Sequence, residues 1–212
     1  MRAGVVLCGG KSTRFGTEDK ACSPLAGTPL VRHVADRIAP VVDELVVSCR
    51  REQRSAIQSA LEGYPLPVRF ALDENADQGP LHGMCRGLSE TDASSAAVVA
   101  CDMPFVDPGF LSSLFDLAAE SDGAIPRTSD GWYQPLQSVY RVAPTVDAIR
   151  SARANGVERP IEAIESLDYV VIEGADLDAL ASDWTFFNVN TRADRDVAAK
   201  RLRSSGGSEQ SR

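Results

Sequence analysis

The chain of 212 residues reads as a single-domain, three-layer α/β fold with a mostly parallel central sheet. Three observations predict it. Short apolar runs at 3–7, 44–48, 68–72 and 96–100 have the length and continuity of strands buried on both faces. Between them lie segments with helical spacing, and this βαβαβ alternation implies parallel strands with helices packed on both sides. Finally, polar residues follow directly on several of the runs, where ligands of open parallel sheets sit.

The first run, Ala3-Gly4-Val5-Val6-Leu7, opens into Cys8-Gly9-Gly10-Lys11-Ser12-Thr13-Arg14-Phe15-Gly16, with Asp19-Lys20 following. Thr28-Pro29 is expected to supply an N-cap and a first-turn proline. Leu30, Val34 and Ile38 recur at spacing four, so a helix should run to near Pro40. A second strand is expected over 44–48, a polar helix over 51–62, and a third strand over 68–72 ending at Asp73. Gly79-Pro80-Leu81-His82-Gly83 starts another helix, carried through Leu88. The most apolar strand, 96–100, leads into Cys101-Asp102-Met103-Pro104, and Asp107-Pro108 caps a helix with Phe110, Leu111, Leu114 and Leu117 on its inner side. Strands are then expected near 123–126, 134–140 and 169–172, with a polar turn at 129–131 and a helix over 144–154. Thr191 should cap a last helix carrying Val197 and Leu202. The domain is placed at 1–203, and Ser/Gly-rich residues 204–212 read as a disordered tail.

Composition narrows the function. Net charge is 22 − 30 = −8, which argues against nonspecific binding to nucleic acid or anionic lipid. No apolar run is long enough to span a membrane. The N-terminus enters a strand at once, leaving no room for a signal peptide, and the cytoplasm is expected. The five cysteines (Cys8, Cys22, Cys49, Cys85 and Cys101) show no CxxC spacing, and the two histidines are too few for a His-rich metal centre.

The loop after the first strand carries Lys11, Arg14 and Lys20 on a glycine-rich backbone, which suits a triphosphate. It is not a P-loop: Gly10-Lys11-Ser12 needs a glycine at position 5, where Val5 stands. It is not GxGxxG either, since Gly9 and Gly10 are adjacent. What remains is LxGGxSxRxGxxDK over Leu7 to Lys20. An ordinary glycine-rich turn with solvated cations is the bland alternative. Asp102, directly after buried apolar residues, needs a cation or donors, and Mg²⁺ held jointly with phosphate oxygens fits; helix or turn capping is the rival reading. Asp73 is a second strand-end carboxylate, or ordinary loop composition. Asn188 and Asn190 flank Val189 at a helix start, either as ligand contacts or as turn formers.

Together these stretches resemble the molybdenum cofactor guanylyltransferase family over nearly the whole chain. The resemblance implies a Rossmann-like nucleotidyltransferase fold and transfer of GMP from GTP to the terminal phosphate of metal-bearing molybdopterin. It implies GTP binding by Leu7, Cys8, Gly9, Gly10 and Lys20, a nucleotide contact at Asp73, Mg²⁺ and nucleotide at Asp102, and roles for Asn188 and Asn190. Arg14, Lys20 and Asp102 are the expected catalytic residues, and transient contact with molybdoenzymes or cofactor-insertion proteins is implied. Departures are Ser48 where the family often has Asn, Gln134 where His is frequent, and Phe15 where Met is common. Sister nucleotidyltransferases acting on the same pterin with CTP, or on cobinamide phosphate, are the nearest rivals; a non-catalytic GTP-binding protein is the rival from another class.

Overall fold

A computed structural model describes residues 1–9, 19–73 and 79–206. The strands of its sheets are β1 (Arg2–Leu7), β2 (Pro24–Leu25), β3 (Thr28–Pro29), β4 (Glu44–Arg50), β5 (Val68–Asp73), β6 (Ser95–Ala100), β7 (Gly123–Arg127), β8 (Gln137–Arg141) and β9 (Tyr169–Glu173). Its α-helices are α1 (Leu30–Ile38), α2 (Arg54–Ala60), α3 (Gly79–Ser89), α4 (Pro108–Leu117), α5 (Val142–Ala154), α6 (Pro160–Ala163), α7 (Gly174–Leu180) and α8 (Arg192–Gly206). The main sheet has seven strands in the order β5-β4-β1-β6-β8-β7-β9. Its pairs are parallel except where β8 meets β6 and β7.

Alternation along the central strands creates the layers. Val6, Val47 and Val99 face a cluster built with Val31, Val34 and Ile38 of α1 and Phe110, Leu111 and Leu114 of α4. Val5, Val46 and Val98 face the other side, against Leu81, Met84 and Leu88 of α3 and Val146 and Ile149 of α5. Because both faces are covered, these strands are apolar through most of their length, which is why the sequence shows runs rather than alternation. Helix α3 lies very close to β1: a Cβ built on Gly87 would stand 2.4 Å from Val5 Cγ1. A third, smaller cluster of Leu25, Leu30, Phe105, Val189 and Ala198 seats α8.

Several local expectations are corrected. Thr28-Pro29 does not cap a helix; it pairs with Pro24-Leu25, and Pro29 precedes α1 without a side-chain cap. Ala26 (φ 51°) and Gly27 (φ 93°) both have positive φ, the signature of a two-residue hairpin turn. The helix over 51–62 divides into a 3₁₀ turn, Arg51–Gln53, and α2. The strand expected from 134 begins at Gln137, because Pro135 has no N–H to give a ladder and Gln137 N closes a turn onto Gln134 O at 2.9 Å. Short α6 and α7 were not expected. The predicted Asp107 and Thr191 caps are present: Asp107 Oδ1 accepts from Phe110 N at 2.9 Å, and Thr191 Oγ1 from Asp194 N at 3.1 Å. Helix α8 continues to Gly206, so only part of the expected tail lies outside the described residues.

Candidate active site

Strand register sets the site. Leu7 of β1 lies beside Ser48 of β4 and Ala100 of β6, and Arg50 of β4 lies beside Asp73 of β5. The chain therefore leaves four neighbouring parallel strands at one edge. The residues singled out along the sequence cluster there because parallel topology brings equivalent strand ends together.

At the exit of β1, Leu7 O accepts from Cys101 N at 3.1 Å, and Cys8 N donates to Ser48 O at 2.8 Å. Gln53, almost fully buried, fixes the start of the glycine-rich loop from below. Its Nε2 donates to Cys8 O at 2.9 Å and its Oε1 accepts from Arg50 N at 2.8 Å. Arg50 Nη1 lies 3.5 Å from Gly9 O. Gly9 is exposed, and a Cβ there would meet nothing within 4 Å. Among the described residues, no packing contact demands glycine at this position. Gly10 and Arg14 lie outside the described residues.

Past the loop, Asp19 Oδ1 accepts from Ala21 N at 3.0 Å and starts a 3₁₀ turn that carries Lys20 toward the strand ends. Lys20 Nζ donates to Asp102 Oδ2 at 2.7 Å and to Asn190 Oδ1 at 2.7 Å. The Lys20 and Asp102 side chains are only 16% and 19% exposed, so little solvent screens the pair. The other Asp102 oxygen, Oδ1, is buried without a hydrogen-bond partner. A buried carboxylate oxygen without a donor among the described residues suits a cation. Among the described residues no three His, Cys, Asp or Glu side chains are grouped to hold a metal. Among the described residues, a divalent ion at Asp102 would take its remaining ligands from substrate oxygens or water.

Asp73 ends β5 facing α3, where His82 Nε2 lies 2.9 Å from its Oδ1. The Asn188–Thr191 segment returns to the same edge: Val189 N donates to Asp102 O at 2.9 Å. Asn188 turns back on its own segment, its Nδ2 donating to Phe186 O at 2.9 Å. The thiols here are poor nucleophiles. The hydrogen bond with Cys101, followed by burial, pushes the Cys8 thiol well above its ordinary value. Burial pushes Cys22 to about 11 and Cys49 to about 12. All five cysteines are unbridged.

The structure thus brings Leu7, Cys8, Gly9, Lys20, Asp73, Asp102, Asn188 and Asn190 to one edge of the sheet. Ser48, the departure noted above, is buried beneath α3, where a Cβ on Gly83 would stand 3.2 Å from its Oγ. Arg50, Gln53 and His82 escaped the sequence reading; each follows or faces a strand end, and only the register reveals it. What the arrangement offers chemically is a cation and a carboxylate held together at the strand-end edge, with the Cys8, Cys22 and Cys49 thiols pushed above their ordinary range. That suits charge neutralisation and alignment better than covalent catalysis.

Comparison with known proteins agrees with this geometry. Residues 4–168 match the model of the MobA-like NTP transferase domain. A probable molybdenum cofactor guanylyltransferase of Natronomonas pharaonis is 44% identical over 201 residues, spanning 95% of this chain and 98% of its own. The molybdenum cofactor guanylyltransferase of Pseudomonas putida is 32% identical over 169 residues, spanning 77% and 85%. The crystal structure of molybdopterin-guanine dinucleotide biosynthesis protein A from Archaeoglobus fulgidus superposes with a TM-score of 0.77 at 26% identity, covering 96% of this chain and 100% of that one.

Proposed function

The chain belongs to the MobA-like NTP transferase family, and from that premise we propose that it is a molybdenum cofactor guanylyltransferase. It joins GMP from GTP to the terminal phosphate of metal-bearing molybdopterin and releases pyrophosphate. One observation carries the reading: the Lys20 ammonium is paired with Asp102 at 2.7 Å at the strand-end edge to which the Asn188–Thr191 segment returns.

In this reaction an oxygen of the acceptor's terminal phosphate attacks the α-phosphorus of GTP. The bond to the bridging oxygen breaks, and pyrophosphate leaves with that electron pair. The attacking oxygen is already anionic near neutral pH, so no general base is required. The protein's work is to align two polyanions and offset their charge. The loop backbone at Cys8, Gly9 and Gly10 receives the triphosphate, and Lys20 and Arg14 supply positive charge. Asp73 holds the nucleoside side. Asn188 and Asn190 border the acceptor side.

Enzymes of this type generally use a divalent metal. With an all-oxygen donor set centred on one carboxylate, Mg²⁺ is the ion proposed, held at Asp102, where it would neutralise phosphate charge. Product transfer to molybdoenzymes or cofactor-insertion proteins would take place in the cytoplasm. Among the described residues no helix is long and apolar enough to cross a membrane. Pyrophosphate release measured with GTP, CTP and ATP, with and without metal-loaded molybdopterin, tests the proposal. Release should require GTP and the pterin together; equal or greater yield from CTP, or none with any nucleotide, would overturn it.

A further inference from the structure

Lys20 is gripped by two segments distant in the chain, and the contacts close on themselves. Its Nζ reaches Asp102 Oδ2 and Asn190 Oδ1, each at 2.7 Å. The backbone completes the ring, since Val189 N donates to Asp102 O at 2.9 Å and Val189 precedes Asn190. Val189 is fully buried among Leu25, Leu30 and Phe105, which anchors that side. Asn190 is anchored on its other side too, where Asp194 Oδ2 accepts from Asn190 N at 2.9 Å and from Thr191 N at 2.7 Å. The carboxamide thus stands on a fixed backbone with its oxygen on the ammonium, whereas that of Asn188 serves its own turn.

A lysine ammonium ends a flexible four-carbon stem, and holding it still costs side-chain entropy. The Asn190 oxygen, brought by another element, adds a restraint on the ammonium beyond its carboxylate contact. We propose that Asn190 is a positioning residue that acts through Lys20, holding the ammonium against Asp102 so that it meets an incoming triphosphate already in place. The consequence for GTP rests on the guanylyltransferase reading; the tether itself does not. The first test therefore uses no nucleotide.

The chain has three lysines, Lys11, Lys20 and Lys200, and Lys200 is exposed on α8. Brief acetylation with an N-hydroxysuccinimide ester, read by peptide mass spectrometry, reports Lys20 against Lys200 in the same molecule. Asn190→Ala should raise relative Lys20 labelling by about fivefold or more, while Asn190→Asp, which keeps an oxygen at the same reach and adds charge, should label no faster than wild type. Asn190→Ser repeats the measurement should Asn190→Ala fail to fold. Calorimetric GTP binding without acceptor then closes a double-mutant cycle. Asn190→Ala should weaken GTP by about fivefold alone, but by under about twofold in a Lys20→Met background. Unchanged Lys20 labelling, or a GTP penalty that persists in full without Lys20, would overturn the proposal. Increased labelling in a protein that binds no GTP would uphold the tether and count against the guanylyltransferase reading alone.

Discussion

Substituting alanine at two glycines of one helix measures how tightly the nucleotide side of the crevice is built. Gly83 and Gly87 both lie inside α3, so alanine at either gains the same helix propensity, about 1 kcal/mol. Their surroundings differ. The new Cβ at position 87 would come within 2.4 Å of Val5 Cγ1. Val5 is fully buried in the middle of β1, and its β-branched side chain has no alternative rotamer to retreat into cheaply. At position 83 the nearest atom is Ser48 Oγ at 3.2 Å, the end of a small side chain. Overpacking of the first kind costs about 1–3 kcal/mol, and the propensity gains cancel between the two variants. Gly87→Ala should therefore be less stable than Gly83→Ala by about that amount, or roughly 2–12 °C in Tm for a chain of this size. Thermal and urea melts of the two variants read the difference directly. Gly87→Ala melting at or above Gly83→Ala would refute the account of α3 packing. Since α3 also carries His82 to Asp73, GTP binding should weaken with Gly87→Ala before global unfolding does.

Three further outcomes are expected. Lys20→Ala should lower turnover by about 10²-fold or more, as for loss of a group that stabilises developing charge; a loss under about threefold would return Lys20 to the solvated surface. Asp102→Asn should fold normally yet lose activity and regain only part of it with excess Mg²⁺. An unstable but fully active variant would reduce Asp102 to a turn-forming residue. The Asp194 carboxyl is held below its ordinary 3.8, first by the Thr191 side chain and also by the Asn190 and Thr191 N–H groups. A carboxyl depressed on folding stabilises above its unfolded value, and that contribution is lost as pH falls through the folded value. Melts should accordingly show Asp194→Asn weaker than wild type at pH 7, with the gap shrinking below about pH 4; a gap that stays constant would remove the carboxylate from the α8 cap.

The central strands were legible because burial on both faces leaves no polar position to interrupt them, and Asp73 and Asp102 stood out as charges at the ends of such runs. Lys20 was legible as part of a loop, but its contacts with Asp102 and Asn190 were not. Asp102 and Asn190 follow it by 82 and 170 positions, and nothing local encodes that meeting. Arg50, Gln53 and His82 were hidden for a related reason, since their importance lies in which strand end they face. Helices α6 and α7 are four and seven residues long, too short to show a helical period. The β2–β3 hairpin was masked by a Thr-Pro pair that is equally at home before a helix. Gly10 and Arg14, which the loop's glycines and charge offer to a triphosphate, lie outside the described residues.

The reversed direction of β8 has a consequence for how this crevice can change. On the β5-β4-β1 side, each strand reaches the next only by a long crossover through a helix, so altering those connections means rethreading a layer. On the other side, β7 and β8 are joined at the same edge by a short reversal, and Ala100 N is bonded directly to Leu136 O at 3.0 Å. The exposed tip of that reversal, residues 129–132, can lengthen, shorten or change sequence without disturbing the order of any strand. The β5-β4-β1 half is thus topologically conservative, while beyond β6 the β7–β8 reversal is the connection that no helix crosses. Variation in the acceptor, across relatives or in the laboratory, should accumulate in that one reversal.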